Sequence, residues 1–402
     1  MIILDGVGDR PIKKIGKKTP LEKANTPNLD KIAKNGINGI MDPISPGTRP
    51  GSDTAHLSLL GYKPKETYRG RGPFEAAGTG IDIKENDICF RVNYATKKDN
   101  KIIDRRANRI KKTKEISKSI KNNIKNIEGT EIIFKDSTAH RAALVLRGEE
   151  LSDKITRSDP KETNKPPEKM EPLEKDAEKT ARILKKFIQR AERVLKNHPA
   201  NKKRKKQNKL PANTLLLRGA GKTPDVQNFQ KKYGLKGTII SATGLIQGIG
   251  KIIGLDVVQP KGTTCGYDSN LNNKSKATKK ALKNNDFVLL HIKGGDEVSH
   301  DGDYKKKIDF LENKVDSAIG NVLESINNRF LTILTADHST PISIKDHSAD
   351  PVPLSIMGEG TRTDEVKSFD ENTYQGGLCR IKGKNLFPIS LDLINKTHKF
   401  GA

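Results

Sequence analysis

The 402-residue chain predicts an α/β protein: a domain with a mainly parallel sheet and helices on both faces, carrying an inserted α/β domain. Three observations predict this. From about residue 236 onward, strand-like and helix-like stretches alternate. The middle of the chain loses that alternation and becomes rich in charge, with a Pro-rich stretch at 152–172. Acidic and His residues recur near both ends, just after apolar runs, where open parallel sheets form their sites.

Ile2 to Leu4 reads as a strand, and a helix is expected around Asn28 to Asn35. Residues 69–80, Gly-rich with one Pro, read as a linker or hinge. Beyond them come a strand at Ile88 to Tyr94, a charged helix from about Lys111 to Ile124, and strands at Thr130 to Phe134 and Ala142 to Leu146. Residues 152–172 read as loop. Ile183, Leu184, Phe187, Ile188, Ala191, Val194 and Leu195 share one face of a helix at Ala177 to Leu195. The regular part then reads strand at Thr238 to Ile240, helix at Leu245 to Ile253, strand at Val257–Val258 and helix at Ser275 to Lys283. It continues with a strand at Phe287 to Ile292, a long helix from Lys305 to Ile326 and a strand at Phe330 to Leu334. Residues 1–75 and 236–402 are therefore expected to form one discontinuous domain, with 76–235 inserted.

The net charge of +26 admits a nucleic-acid partner, because clustered cations release phosphate counterions. Against this, the lysines are spread along the chain and aromatics for base stacking are only 4%. A solvated basic surface is the better reading, with no specific nucleic acid and some electrostatic pull on anionic substrates. No apolar stretch approaches the length of a membrane span. Met1 runs straight into a strand without a leader pattern, and Cys89, Cys265 and Cys379 are scattered. A cytoplasmic location is expected. Oligomeric state is not legible.

Candidate chemistry sits in short clusters: Asp5, Ser52, Asp296 with His300, Asp337 with His338, and His347. Asp296 and His300 are four apart, so a helix would put both on one face. Asp337–His338 needs a turn at a strand end before both can serve one region. An N-cap Asp followed by an exposed His has the same pattern, and spacing alone weighs the two readings evenly. Mixed carboxylate and imidazole ligands suit Mn, Zn or Co and also admit Mg. Two such ions about 3.5–4 Å apart clamp the oxygens of a phosphoryl transfer. Ser52, before a predicted helix start, can be a nucleophile or a plain N-cap. Gly219-Ala220-Gly221-Lys222-Thr223 mimics the end of a P-loop, but Leu216 stands where that motif needs a Gly. Arg91, Arg105, Arg106, Arg109, His140, Arg141 and Arg218 gather in the middle region, and Arg forks suit carboxylate and phosphate.

Taken together, these residues resemble the archaeal-type, cofactor-independent phosphoglycerate mutases of the alkaline phosphatase superfamily. The resemblance runs through Asp5 to Pro11, Pro50 to His56 with Leu60-Gly61-Tyr62, Arg71 to Glu75, Asp104 to Ala107, and Leu217 to Gly221. It continues through Asp296 to Asp301, Thr335 to Pro341, His347 to Pro353 and Lys399 to Ala402. It implies an alkaline-phosphatase-like core that interconverts 2- and 3-phosphoglycerate in glycolysis and gluconeogenesis. Ser52 would take the phosphoryl group and return it. One metal would be held by Asp5, Ser52, Asp337 and His338, the other by Asp296, His300 and His347. The arginines and His140 would grip the glycerate, with Asp104 as an acid/base group. Two divalent ions are implied, and no 2,3-bisphosphoglycerate. The sequence departs from the pattern in its short first strand, in Val298–Ser299, and in Lys261 and Cys265 of a loop that is normally Gly/Ala-rich. The runner-up is another phosphatase or phosphotransferase of the same superfamily. A nucleic-acid-binding protein is the alternative from a different class.

Overall fold

The computed structural model describes residues 1–326, 330–399 and 401, so the resemblance at Phe400 and Ala402 lies outside the described residues. The chain divides into two compact units, Met1–Thr67 with Val226–Ala402, and Tyr68–Asp225.

The first unit is built on an eight-stranded sheet. Its order is Asp256–Val258, Gly237–Ile240, Phe287–Ile292, Ile2–Leu4, Thr332–Thr335, Val352–Met357, Ile37–Asp42 and Cys379–Lys382. The first five strands are mutually parallel. Val352–Met357 runs antiparallel to both neighbours, and Cys379–Lys382 is parallel to Ile37–Asp42. The central strands read as nearly continuous apolar runs because both faces are covered. Pro27–Lys34, Leu271–Leu282 and Ser317–Leu323 form one helical layer. Ser52–Leu59, Gly244–Ile252 and Gly383–Leu393 form the other. The sequence pattern extends one helix from Lys305 to Ile326, whereas the structure interrupts it. Tyr304–Phe310 and Ser317–Leu323 are α-helical, and Leu311–Asp316 between them is a π-helical turn. Such a turn keeps the apolar spacing nearly intact, so periodicity does not expose it.

The second unit has an antiparallel sheet, not the parallel arrangement of the first. Ile88–Lys98 is its axis, flanked by Arg141–Arg147 on one side and Thr214–Lys222 on the other. Alternation sorts the axis strand. Ile88, Phe90, Val92 and Tyr94 enter a core with Ile116 and Ile120 of helix Lys114–Asn123 and with Ile183, Leu184 and Phe187 of helix Glu178–Asn197. Cys89 faces the opposite way and packs with Ala76, Ala143 and Val145.

The Gly-rich stretch at 69–80 is not a free linker. Residues Gly72–Gly78 form a helix with Pro73 in its first turn. Its glycines serve close packing. A Cβ on Gly72 would lie 2.1 Å from the Cys89 carbonyl, and one on Gly221 would lie 1.8 Å from the Arg69 carbonyl. The same closeness accounts for the Gly-Ala-Gly run that mimics a P-loop.

Candidate active site

Three neighbouring parallel strands end level with one another. Leu4 lies beside Ile292, and Ile3 beside Thr335. Asp5, Lys293 and the Asp337–His338 pair follow these ends directly, so one edge of the sheet collects them. Helix Gly294–Asp301 starts just after the strand Phe287–Ile292 and sets Asp296 and His300 one turn apart. Ser52 is the first residue of helix Ser52–Leu59, and Gly51 takes the cap position. The plain N-cap reading of this serine therefore fails. Its Oγ lies 3.3 Å from His338 Nε2 instead.

Two groups of ligand atoms form here, Asp296 with His300 and His347, and Asp5 with Asp296 and His338, each set lying within 4.8 Å. Asp296 Oδ1 is 3.3 Å from His300 Nε2 and 3.7 Å from His347 Nε2. His338 Nε2 is 3.4 Å from Asp5 Oδ1 and 3.4 Å from Asp337 Oδ2. Asp337 stands slightly apart from the second group, accepting from the Gly6 amide through Oδ1 at 3.3 Å. The resemblance pairs Asp5 with Asp337, while the geometry makes Asp296 common to both groups.

The imidazoles are held in one orientation. His300 Nδ1 lies 2.7 Å from the Lys345 carbonyl, and His347 Nδ1 lies 3.0 Å from the Pro50 carbonyl. A carbonyl only accepts, so both rings carry their proton on Nδ1 and turn Nε2 inward. His338 Nδ1 is 3.0 Å from Thr340 Oγ1.

Asp5, Asp296, Asp337 and His338 are buried, and their electrostatics follow from crowding. Burial pushes the Asp5 carboxyl up, but Lys293 and hydrogen bonds from His291 and His338 hold it well below the usual range. Burial likewise raises Asp296, but Lys293, the hydrogen bond from His300 and His338 together hold it well below the usual range. Asp337 moves the other way, raised by burial and by the charge of Asp5. Burial lowers His338, but Asp337 and Asp5 outweigh it and bring the imidazole to about 9. The cluster thus attracts positive charge.

These residues fit divalent metal ions. The donors are the carboxylates and imidazoles such ions take, and the three imidazoles are oriented from behind. Asp337 Oδ2 is buried with no hydrogen-bond partner among the described residues, which leaves an acceptor aimed into the cluster.

The remaining expected residues lie in the second unit. Arg91 stands opposite Arg218 and Ala143 on neighbouring strands, and Asn93 stands opposite Arg141. All continue the sheet face that carries Cys89. Among the described residues, Arg91 Nε, Asn93 Oδ1, His140 Nδ1 and Arg141 Nε are buried without hydrogen-bond partners. Burial first, then Arg141 and Arg106, lowers His140 to about 3. Glu75 offsets part of this charge, 3.5 Å from Arg91 Nε and 2.9 Å from Arg71 Nε. Burial raises the Glu75 carboxyl, but Arg91, Arg71 and Arg141 hold it at about 2. Arg105 is differently engaged. It forms a two-pronged pair with Asp159 at 2.7 and 2.9 Å, and Arg218 Nη1 lies 3.3 Å from the same carboxylate. Asp104 accepts from the Arg106 amide at 2.6 Å. Arg109 is exposed, ending a run of three left-handed residues, Ala107, Asn108 and Arg109, with φ of 45°, 55° and 48°.

Sequence reasoning missed several residues at the first corner. Lys293 Nζ lies 3.1 Å from Asp5 Oδ2 and 2.7 Å from Asp296 Oδ2. His291 Nε2 lies 2.9 Å from Asp5 Oδ2. His56 Nδ1 lies 2.7 Å from the Ser52 carbonyl and 3.6 Å from Asp337 Oδ2. Lys307 Nζ lies 2.9 Å from Asp9 Oδ2 and 3.3 Å from the Gly6 carbonyl. A signal existed for His291: it is the one polar residue inside the run Phe-Val-Leu-Leu-His-Ile.

A family model described as 2,3-bisphosphoglycerate-independent phosphoglycerate mutase matches residues 33–201. A protein of that name from Methanococcus aeolicus is 52% identical over 407 residues, covering 100% of this chain and 99% of the relative. One from Methanothermobacter thermautotrophicus is 49% identical, again over 100% and 99%. Among solved structures, the PH0037 protein from Pyrococcus horikoshii matches with a TM-score of 0.87 at 40% identity, over 100% of this chain and 98% of that one. The cofactor-independent phosphoglycerate mutase from Thermoplasma acidophilum matches with a TM-score of 0.71 at 38% identity, over 98% of each. The chain belongs to the family of 2,3-bisphosphoglycerate-independent phosphoglycerate mutases.

Proposed function

We propose that this chain interconverts 2- and 3-phosphoglycerate through a phosphoserine at Ser52, as part of glycolysis and gluconeogenesis in the cytoplasm. The Ser52 oxygen gives up its proton and attacks phosphorus, the bond from phosphorus to the glycerate oxygen breaks, and that oxygen takes up a proton. The glycerate is retained and turned. Its other hydroxyl then loses its proton and attacks the phosphoserine, the bond from phosphorus to the Ser52 oxygen breaks, and that oxygen regains a proton. The helix N-terminus at Ser52 favours the anionic phosphoryl group. Asp5, Ser52, Asp337 and His338 would hold one divalent ion, and Asp296, His300 and His347 the other, with Asp296 close enough to serve both. Such ions, whether Mn, Zn, Co or Mg, lower the pKa of a serine hydroxyl and neutralise charge developing on phosphoryl oxygens.

The inserted unit would hold the glycerate carboxylate through charge-assisted bonds. Arg91 and Arg141 are the best placed for these bonds, and His140, held neutral, for an uncharged one, since each carries a buried polar atom with no hydrogen-bond partner among the described residues. Arg218, Arg105 and Arg109 complete the expected grip, with Asp104 exchanging protons with a glycerate hydroxyl. No specific nucleic-acid partner and no membrane partner is proposed. Among the described residues, no helix is long and apolar enough to cross a membrane.

What supports this reading most is the serine hydroxyl at a helix start, 3.3 Å from His338 Nε2 beside the two carboxylate and imidazole groups. The test is phosphoglycerate interconversion coupled to enolase, after chelation and re-addition of single metals. Conversion of 3- to 2-phosphoglycerate without net phosphate release is expected. Release of inorganic phosphate as the sole outcome would mean a phosphatase instead.

A further inference from the structure

Thr340 is fully buried, against His338 of one group of ligand atoms and the Asp296 shared by both. Its hydroxyl donates to Asp296 Oδ1 at 2.9 Å and lies 3.0 Å from His338 Nδ1. A hydroxyl has one proton, and an ionised carboxylate can only accept. The proton on Thr340 Oγ1 therefore points at Asp296, and the oxygen must accept from His338. The direction of the chain is fixed: His338 Nδ1–H to Thr340 Oγ1–H to Asp296 Oδ1. His338 is left with Nε2 toward Asp5, Asp337 and Ser52, at 3.4, 3.4 and 3.3 Å.

The two other imidazoles rest on backbone carbonyls, the acceptors at Lys345 and Pro50. Only His338 rests on a side chain, and that side chain ends on the carboxylate shared by both groups. The threonine itself has little freedom. Its amide donates to the Gly8 carbonyl at 3.0 Å, and its own carbonyl lies 3.5 Å from Lys307 Nζ. Its β-branched side chain is stiff at χ1.

We infer that Thr340 is a positioning residue that couples the two metal sites, setting the His338 tautomer and the direction of the Asp296 carboxylate through one hydroxyl. This rests on the reading of these groups as metal ligands. Partners behind a metal ligand typically contribute about 10- to 100-fold in metal affinity. Because one hydroxyl serves both groups, both sites should weaken together.

The test compares wild type, Thr340→Val and Thr340→Ser as metal-free full-length proteins titrated calorimetrically with Mn²⁺, with circular dichroism to check folding. Wild type is expected to bind two ions. Thr340→Val should lose about 10- to 100-fold in affinity at both sites, and Thr340→Ser should restore most of it. Unchanged affinity in Thr340→Val, or weakening at one site alone, overturns the coupling while leaving the two-metal reading intact. Failure of wild type to bind two ions overturns both. A second measurement does not depend on the valine variant folding. Histidine ¹H–¹⁵N spectra of zinc-loaded wild type should show His338 protonated on Nδ1, and a proton on Nε2 would contradict the inference.

Discussion

The strand-end corner of the first unit and the arginine face of the second concentrate opposite charge, and each leaves something unmet. At the corner, Asp5, Asp296 and Asp337 are crowded with His338, and Lys293 joins two of the carboxylates. Among the described residues, the buried acceptors there without a hydrogen-bond partner are Asp337 Oδ2 and His56 Nε2. On the second unit's sheet face, Arg91, Arg71 and Arg141 surround Glu75, and the buried atoms without a hydrogen-bond partner among the described residues include the Nε of Arg91 and of Arg141. Buried polar groups are normally satisfied. Where they are not, the sign of the surplus indicates the ligand: a cation for the first unit, an anion for the second. A mutase needs both, since it must activate a phosphoryl group and also keep hold of the dephosphorylated acid.

The comparison breaks most sharply at Ser52. Ser52→Ala removes the covalent route, and interconversion should fall by at least about a thousandfold. The fold should survive, because Gly51 and not Ser52 occupies the cap position. Activity near wild type, by the enolase-coupled assay, would mean that the corner works without a nucleophile there.

Chelation should act on the first unit alone. Exhaustive removal of divalent ions should abolish interconversion, single ions should restore it, and added 2,3-bisphosphoglycerate should change nothing. Ions that bind only the folded state also stabilise it, by about 2.7 kcal/mol at a hundred times the dissociation constant. The melting temperature should therefore rise with Mn²⁺. Full activity in the chelated protein, or dependence on the bisphosphate, would contradict the account.

Two arginines sharpen the second half of the comparison. Arg141→Ala should lower interconversion by about tenfold or more, the worth of one bond to a charged group. Hydrolysis of p-nitrophenyl phosphate should fall less, because that ester has no carboxylate to grip. Arg105→Ala should in addition cost stability, about 1–3 kcal/mol in urea unfolding, because it leaves Asp159 with weaker pairing. Equal losses of both activities in Arg141→Ala would assign that arginine to the phosphate or to structure.

The smallest effect is a pH dependence. His140 is driven down to about 3 in the folded state by burial and its cationic neighbours, against an ordinary value of 6.5. Folding therefore favours the neutral ring. Its contribution is fully present above about 6.5 and is lost as pH falls toward 3. His140→Gln should flatten the slope of unfolding free energy against pH in that window by up to about one proton. An unchanged slope would mean the ring is protonated in the native face.

Much of the corner was legible because its residues sit next to strong strand signals. Ile2 to Leu4 and Phe287 to Ile292 are unmistakable apolar runs, and Asp5 and Asp296 follow them closely. The partners behind the ligands were not legible. Thr340 and Lys307 act through contacts that only the folded backbone creates. The strands Ile37–Asp42, Val352–Met357 and Cys379–Lys382 went unread because Asn38, Gly39, Pro353 and Arg380 interrupt their apolar pattern. The glycines at 70 and 72 suggested a hinge because sequence cannot distinguish freedom from close packing. On the arginine face, composition marked the cluster, but only the strand register separates Arg91, opposite Arg218, from the exposed Arg109.

The most direct test is to catch the phosphoryl group on the protein. Metal-loaded protein mixed with 3-phosphoglycerate, quenched in acid within a turnover and digested, should yield a phosphopeptide containing Ser52 by mass spectrometry. Phosphate on a histidine or on any other serine, or none at all while turnover proceeds, would contradict the account.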